Sequence, residues 1–212
     1  MLPFVLVTVA ATLALLAAER AGWQPGVWVA KPVAAAGFLG AAWANGALAT
    51  PYGTWIGIGL ALSWVGDVLL IPKERPRAFL AGLGAFLLGH VAYTIAFAVR
   101  GLDVPTVAVA MVAVFALGAG ALRLLLPYVQ PAMRRPVLAY VVVISAMLVT
   151  AAGTVGHAGM PAIFAGAFAF YLSDLAVARQ RFVVRSFTNK AWGLPLYFAA
   201  QLLLAWTVRE GS

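Results

Sequence analysis

The chain has 212 residues, 64% of them hydrophobic and only 9% charged, and its 14 Lys and Arg against 6 Asp and Glu leave a formal charge of +8. Soluble domains carry about a quarter charged residues, so this composition excludes an ordinary water-soluble fold and points to an integral membrane protein. With no cysteine in the sequence, disulfides and thiolate metal sites are excluded as well.

Apolar runs separated by Pro, Gly and charged breaks predict eight spans, at about 2–18, 27–46, 54–71, 77–99, 104–122, 136–153, 159–178 and 190–208. The first has no basic residues ahead of it and no convincing cleavage site, so it reads as a span rather than a secretory signal. A bilayer core of roughly 30 Å needs about 20 residues per helix, and eight such helices with short loops fill the chain. The expectation is one transmembrane domain over 1–212. Each run is continuous and lacks the alternation of a membrane barrel, so the predicted class is all-α, a compact polytopic bundle of about eight transmembrane helices.

Orientation follows from the basic residues, because loops on the cytoplasmic side retain Lys and Arg. The loops after spans one, three, five and seven hold Arg20; Lys73, Arg75 and Arg77; Arg123, Arg134 and Arg135; and Arg179, Arg181, Arg185 and Lys190. The opposite side has only Arg100 and Arg209, and Lys31 lies within a span. Both termini are therefore expected to be non-cytoplasmic. The basic pI reflects this asymmetry and an affinity for anionic head groups; no nucleic-acid partner is expected.

Two carboxylates, Asp67 and Asp174, fall inside spans, whereas Glu19, Glu74, Asp103 and Glu210 fall in predicted loops or at the terminus. A charge at membrane depth costs a few kcal/mol or more and marks a functional site. At 1.5 Å per residue, Asp67, Asp174, Lys31 and Tyr140 each lie about one turn from the cytoplasmic end of their spans. Asn189 and Lys190 open span eight at that same face. His90, Tyr93 and Gln201 lie deeper, with His90 and Tyr93 three residues apart on one helical face. The pattern outlines a polar cavity toward the cytoplasmic leaflet.

Taken singly, each residue has a plainer reading. Lys31 can snorkel to the interface, Tyr140 can belong to the aromatic belt, His90 and Gln201 can serve packing, and an Asp–Lys pair can be purely structural. His157 falls in a Gly-rich loop on the far side. The joint placement carries the argument.

Ser63-Trp-Val-Gly-Asp67-Val-Leu-Leu70, Phe79-Leu-Ala-Gly82 and Phe86-Leu-Leu-Gly-His90-Val-Ala-Tyr93 are followed by Tyr140 to Met147, Gly166-Ala-Phe-Ala-Phe-Tyr-Leu-Ser-Asp174 and Tyr197-Phe-Ala-Ala-Gln201. With an early Lys31-Pro32, this order and spacing resembles the YhhN-like membrane proteins, the lysoplasmalogenase family, from about Lys31 to Trp206. The resemblance implies an integral membrane hydrolase that cleaves the vinyl ether bond of a lysophospholipid with a single alkenyl chain. The products would be a fatty aldehyde and a glycerophospho-ethanolamine or glycerophosphocholine. It also implies Asp67 and Asp174 as the catalytic pair, with Lys31, His90, Tyr93, Tyr140, Ser173 and Gln201 as supports, and no cofactor. The Ala, Gly, Val, Leu and Arg bias fits a GC-rich genome and a bacterial inner membrane.

The chemistry gives a separate reason for two carboxylates. Vinyl ether hydrolysis starts with protonation of an alkene carbon and produces an oxocarbenium ion that water traps, so one group must be neutral and the other anionic. Two neighbouring aspartates in a low dielectric meet that need by sharing a proton; the sequence does not say which is acid and which base. Lys31, Asn189, Lys190 or the arginines after span seven are candidates for the substrate phosphate, with the phosphate role favoured for Lys31 over pairing with an aspartate.

Other readings use the same residues. A proton-coupled transporter also needs buried carboxylates on separate helices, and at the interval that separates the two aspartates His90 falls on Tyr197, a modest sign of two parallel four-helix halves. An intramembrane aspartyl protease would activate water between two aspartates. A zinc lipid hydrolase is disfavoured, because His90 and His157 are the only histidines and a catalytic zinc usually takes three protein ligands; no metal is expected.

Overall fold

The computed structural model describes residues 1–72 and 74–211. Eight helices follow one another: α1 Leu2–Ala21, α2 Gln24–Ala44, α3 Pro51–Leu69, α4 Pro76–Arg100, α5 Val104–Leu125, α6 Pro131–Gly153, α7 Met160–Ala178 and α8 Phe187–Thr207. No strand occurs among the described residues. The predicted all-α polytopic bundle is what forms.

Helix boundaries run beyond several predicted spans for identifiable reasons. Pro fits the first helical position because its missing N–H is unbonded there anyway, so α3, α4 and α6 begin at Pro51, Pro76 and Pro131. α1 continues through Glu19 and Arg20 until Gly22 at φ 68°, where glycine closes the helix in a left-handed cap. Glu19 is thus a helical residue, not the loop residue the sequence suggested. Thr50 and Asp103 cap α3 and α5 by accepting from the Gly53 and Thr106 N–H groups. Hydrogen bonding to Thr106 alone holds the partly exposed Asp103 carboxyl, outside the spans, below the ordinary carboxylate range.

Six helices, α1, α2, α4, α5, α6 and α7, are long and apolar enough to cross a membrane. α3 and α8 fall short of that measure because they carry much of the polar sequence, including Asp67 on α3 and Asn189, Lys190 and Gln201 on α8. Both pack against several neighbours, α8 against α7, α2 and α1. The chain is an integral membrane protein.

Packing is densest within the hairpins α1–α2, α3–α4 and α7–α8, and the two halves of the chain meet where α2 packs on α8 and α4 on α6. Small residues let the helices approach. A Cβ on Gly66 would lie 2.6 Å from the Phe86 ring and one on Gly193 2.5 Å from Ala176 Cβ, so these glycines set the α3–α4 and α7–α8 contacts beside the two aspartates. Phe38, Tyr93, Phe97, Phe170 and Phe198 fill the centre with negligible exposure.

The ends of α1, α3, α5 and α7 and the starts of α2, α4, α6 and α8 wall one cavity. They therefore share one end of the bundle, the end that carries most of the basic loop residues. Lys73, counted among those basic residues, lies outside the described residues.

Candidate active site

Asp67 sits in the last turn of α3, 2% exposed. Its Oδ1 is 3.1 Å from the Lys31 ammonium, which also donates to the Asp67 carbonyl at 3.1 Å. Its Oδ2 accepts from the Tyr197 hydroxyl at 2.6 Å. Pro32, inside α2, denies the helix one N–H bond at this level, and its own carbonyl accepts the Trp64 indole N–H at 3.2 Å. That bond fastens α2 to α3 beside the Lys31–Asp67 pair. Lys31 thus pairs with an aspartate, the alternative weighed beside the phosphate role favoured from the sequence.

Asp174, in the second-last turn of α7, has a side chain 16% exposed. Its Oδ2 accepts from the Tyr140 hydroxyl of α6 at 2.7 Å and lies 3.5 Å from His90 Nε2 of α4. The imidazole is fixed from behind: Nδ1 is 2.7 Å from the Phe86 carbonyl, and Phe170 lies against the ring at 4.5 Å between centroids. His90 Nε2 is fully buried with no hydrogen bond.

Asp67, Asp174, Lys31, Tyr140, Ser173, Asn189 and Lys190 border a common cavity of about 280 Å³ that reaches the basic face at Arg181 and Arg185. Its inner parts are apolar, with Leu125, Val141 and Ile144 from α5 and α6 among the walls. Phe86, Phe170 and Tyr197 pack edge to face between the two aspartates' surroundings, with centroids 5.3–6.2 Å apart.

The other expected residues have more structural settings. Ser173 Oγ donates back to the Phe170 carbonyl at 2.8 Å. Asn189 donates to the Gln180 side chain at 3.0 Å and the Val184 carbonyl at 2.8 Å, pinning the π-helical turn Arg179–Val183 that follows α7. Lys190 is engaged by Glu19 at the cavity mouth. Arg181 stacks over Phe79 at 4.3 Å and Arg185 lies 3.3 Å from Glu74, both near the surface. Tyr93 donates to Gln201 Oε1 at 2.8 Å, deeper in the bundle and off the cavity wall. His157 is exposed in the loop after α6.

Two contributors escaped the sequence reading. Tyr197 entered only as part of a motif and as the counterpart of His90 at the aspartate interval, with no role assigned, yet its hydroxyl donates directly to Asp67. Glu19 was legible only as an acid at a span end, since its pairing with Lys190 joins the two ends of the chain. Among the described residues, no three His, Cys, Asp or Glu side chains cluster as a metal site would require.

The YhhN family profile matches residues 26–208. The chain belongs to the YhhN family. Among curated YhhN-like relatives, the lysoplasmalogenase of Mycobacterium tuberculosis is 33% identical over 173 residues, covering 76% of this chain and 64% of its own length. Human lysoplasmalogenase TMEM86A is 32% identical over 169 residues, covering 77% and 68%, and human TMEM86B is 34% identical over 146 residues, covering 68% and 59%. The chain thus spans a little under two thirds of the mycobacterial relative. No solved structure matches this YhhN protein.

Proposed function

We propose that this protein is a lysoplasmalogenase-like membrane hydrolase, cleaving the vinyl ether of a single-chain alkenyl glycerophospholipid to a fatty aldehyde and the glycerophospho head group. One observation carries the reading: Asp67 and Asp174, from two separate helices, border a single cavity that is apolar within and basic at its mouth. The relatives' names support it. The alkenyl tail lies along the wall of α5 and α6, the phosphate meets Arg181 and Arg185, and the vinyl ether sits between the aspartates.

In this reading residues 1–212 act as one transmembrane domain in a bacterial inner membrane, termini non-cytoplasmic and cavity mouth at the cytoplasmic leaflet. The charge asymmetry of the loops supports that orientation. The two aspartates supply a proton donor and an anion for the oxocarbenium-like transition state, and no cofactor takes part.

The test is aldehyde release from a vinyl-ether lysophospholipid by the purified protein in detergent, beside Asp67→Asn, Asp174→Asn and the saturated alkyl-ether analogue. Release by the unmodified protein alone, with no action on the alkyl ether, supports hydrolase and dyad together. Absence of release from a folded protein rejects this substrate and reopens the carrier reading.

A further inference from the structure

The two aspartates differ in what their oxygens meet. Both oxygens of Asp67 face donors, the Lys31 ammonium and the Tyr197 hydroxyl. The Lys31 ammonium donates only and favours the ionised carboxylate, and the Tyr197 hydroxyl, which can donate or accept, donates to it. Asp67 is therefore built to stay an anion.

At Asp174 the logic is reversed. The Phe86 carbonyl can only accept, so His90 Nδ1 carries the proton that lies between them. In the neutral ring Nε2 then has a lone pair, and it is buried without a hydrogen bond 3.5 Å from Asp174 Oδ2. A buried lone pair facing a carboxylate is costly unless one proton occupies the gap.

We infer that Asp174 and His90 hold one shared proton between Oδ2 and Nε2, and that this pair both donates and recovers the reacting proton while Asp67 remains a fixed carboxylate. The inference rests on the hydrolase reading above and assigns its roles. Asp174 is the catalytic acid and base; His90 is a positioning residue that acts through it.

The steps balance. Asp174 gives its proton to the alkene carbon distal to the ether oxygen, forming a C–H bond as the π electrons leave an oxocarbenium ion, which the Asp67 charge stabilises. Water adds to the oxocarbenium carbon and its proton returns to Asp174, giving a hemiacetal. Asp174 then protonates the glycerol oxygen as the C–O bond breaks, and the hemiacetal O–H proton passes back to the Asp174–His90 pair. The sum is one water consumed, with one aldehyde and one alcohol formed.

The charged and titratable groups beside Asp174 and along its cavity are His90 from α4, Tyr140 from α6, Tyr171 from α7, Asp67 from α3 with Lys31 from α2, Tyr197 from α8, and Arg181 and Arg185 after α7, with Glu19 and Lys190 paired at the mouth. Two of them give opposite signs. In His90→Gln an acceptor is replaced by an amide that can donate to Oδ2, which favours the carboxylate. In Tyr140→Phe a donor to the carboxylate is removed, which favours the acid.

The experiment is the pH dependence of kcat/KM for aldehyde release, with infrared spectra of the same proteins in exchangeable water. An acid that must be protonated loses activity as pH rises. The alkaline limb is expected to move down by about one pH unit or more in His90→Gln and up in Tyr140→Phe, and the carboxylic-acid C=O band to vanish in Asp174→Asn while persisting in Asp67→Asn. Limbs that superimpose on the unmodified protein, or a band that vanishes in Asp67→Asn but not in Asp174→Asn, overturn the assignment. Should no form release aldehyde, the hydrolase reading fails and the infrared comparison alone decides where the proton resides.

Discussion

The surroundings of Asp67 and those of Asp174 are built on one plan and filled with opposite chemistry. Each aspartate receives a side chain from the helix that precedes its own, Lys31 from α2 or Tyr140 from α6. Each also faces a side chain from the last helix of the other half, Tyr197 from α8 or His90 from α4. The interval from Asp67 to Asp174 is also the interval from His90 to Tyr197. Crossing of this kind is what a two-fold relation between the halves produces, and α2 on α8 mirrors α4 on α6. Across that relation a cation on one side becomes a phenol on the other, and a phenol becomes an imidazole. In the proposed hydrolase the paired scaffolds supply one anion and one proton carrier.

Breaking the comparison at its centre has the largest expected effect. Asp174→Asn removes the proton carrier and should lower kcat by about a thousandfold, within the range for a general acid or base, measured by single-turnover aldehyde release. Asp67→Asn retains an acceptor for Tyr197 but removes the anion; a loss of about a hundredfold, as for an electrostatic group at a developing charge, should leave the alkaline limb of the pH profile in place. Equal losses with both limbs abolished would make the two aspartates interchangeable and erase the distinction.

Smaller changes sharpen it. Tyr197→Phe takes one donor from Asp67 without touching Asp174, and a fall of about tenfold in kcat with an unchanged pH profile is expected; a displaced limb would mean that Asp67 titrates in the working range. Gly66→Ala pushes a methyl into the Phe86 ring, which also backs His90 through its carbonyl. Overpacking of this kind costs about 1–3 kcal/mol, to be read as a lower midpoint of thermal unfolding in detergent.

The smallest effect lies outside both half-sites. Because hydrogen bonds to Thr106 depress the Asp103 carboxyl in the folded protein, its stabilisation is present above the unfolded carboxylate range near pH 4 and is lost as pH falls through the folded range. The stability difference between the unmodified protein and Asp103→Ala should therefore shrink on acidification. A constant difference from neutral to acid pH would assign the cap's worth to something other than its charge.

The sequence by itself determined the helical class, the order of the helices and the grouping of the basic loops, and it placed Asp67 and Asp174 near the ends of their helices; Lys31 and Tyr140 lie further inside α2 and α6 than expected, because those helices start earlier. What was legible follows from local composition and from the 1.5 Å rise of a helix, because a bilayer converts position along a span into depth. It could not determine which side chains meet at a given depth, since that depends on how each helix is rotated and which helices are neighbours. Lys31 therefore read as a phosphate ligand until α2 was seen against α3, Glu19 as a loop residue until α1 was seen against α8, and Tyr197 as a weak echo of His90 until the halves were seen to cross. The direction of His90 Nε2 toward Asp174 is likewise a tertiary fact, fixed by the Phe86 carbonyl behind the ring and by the packing of Phe170 against it.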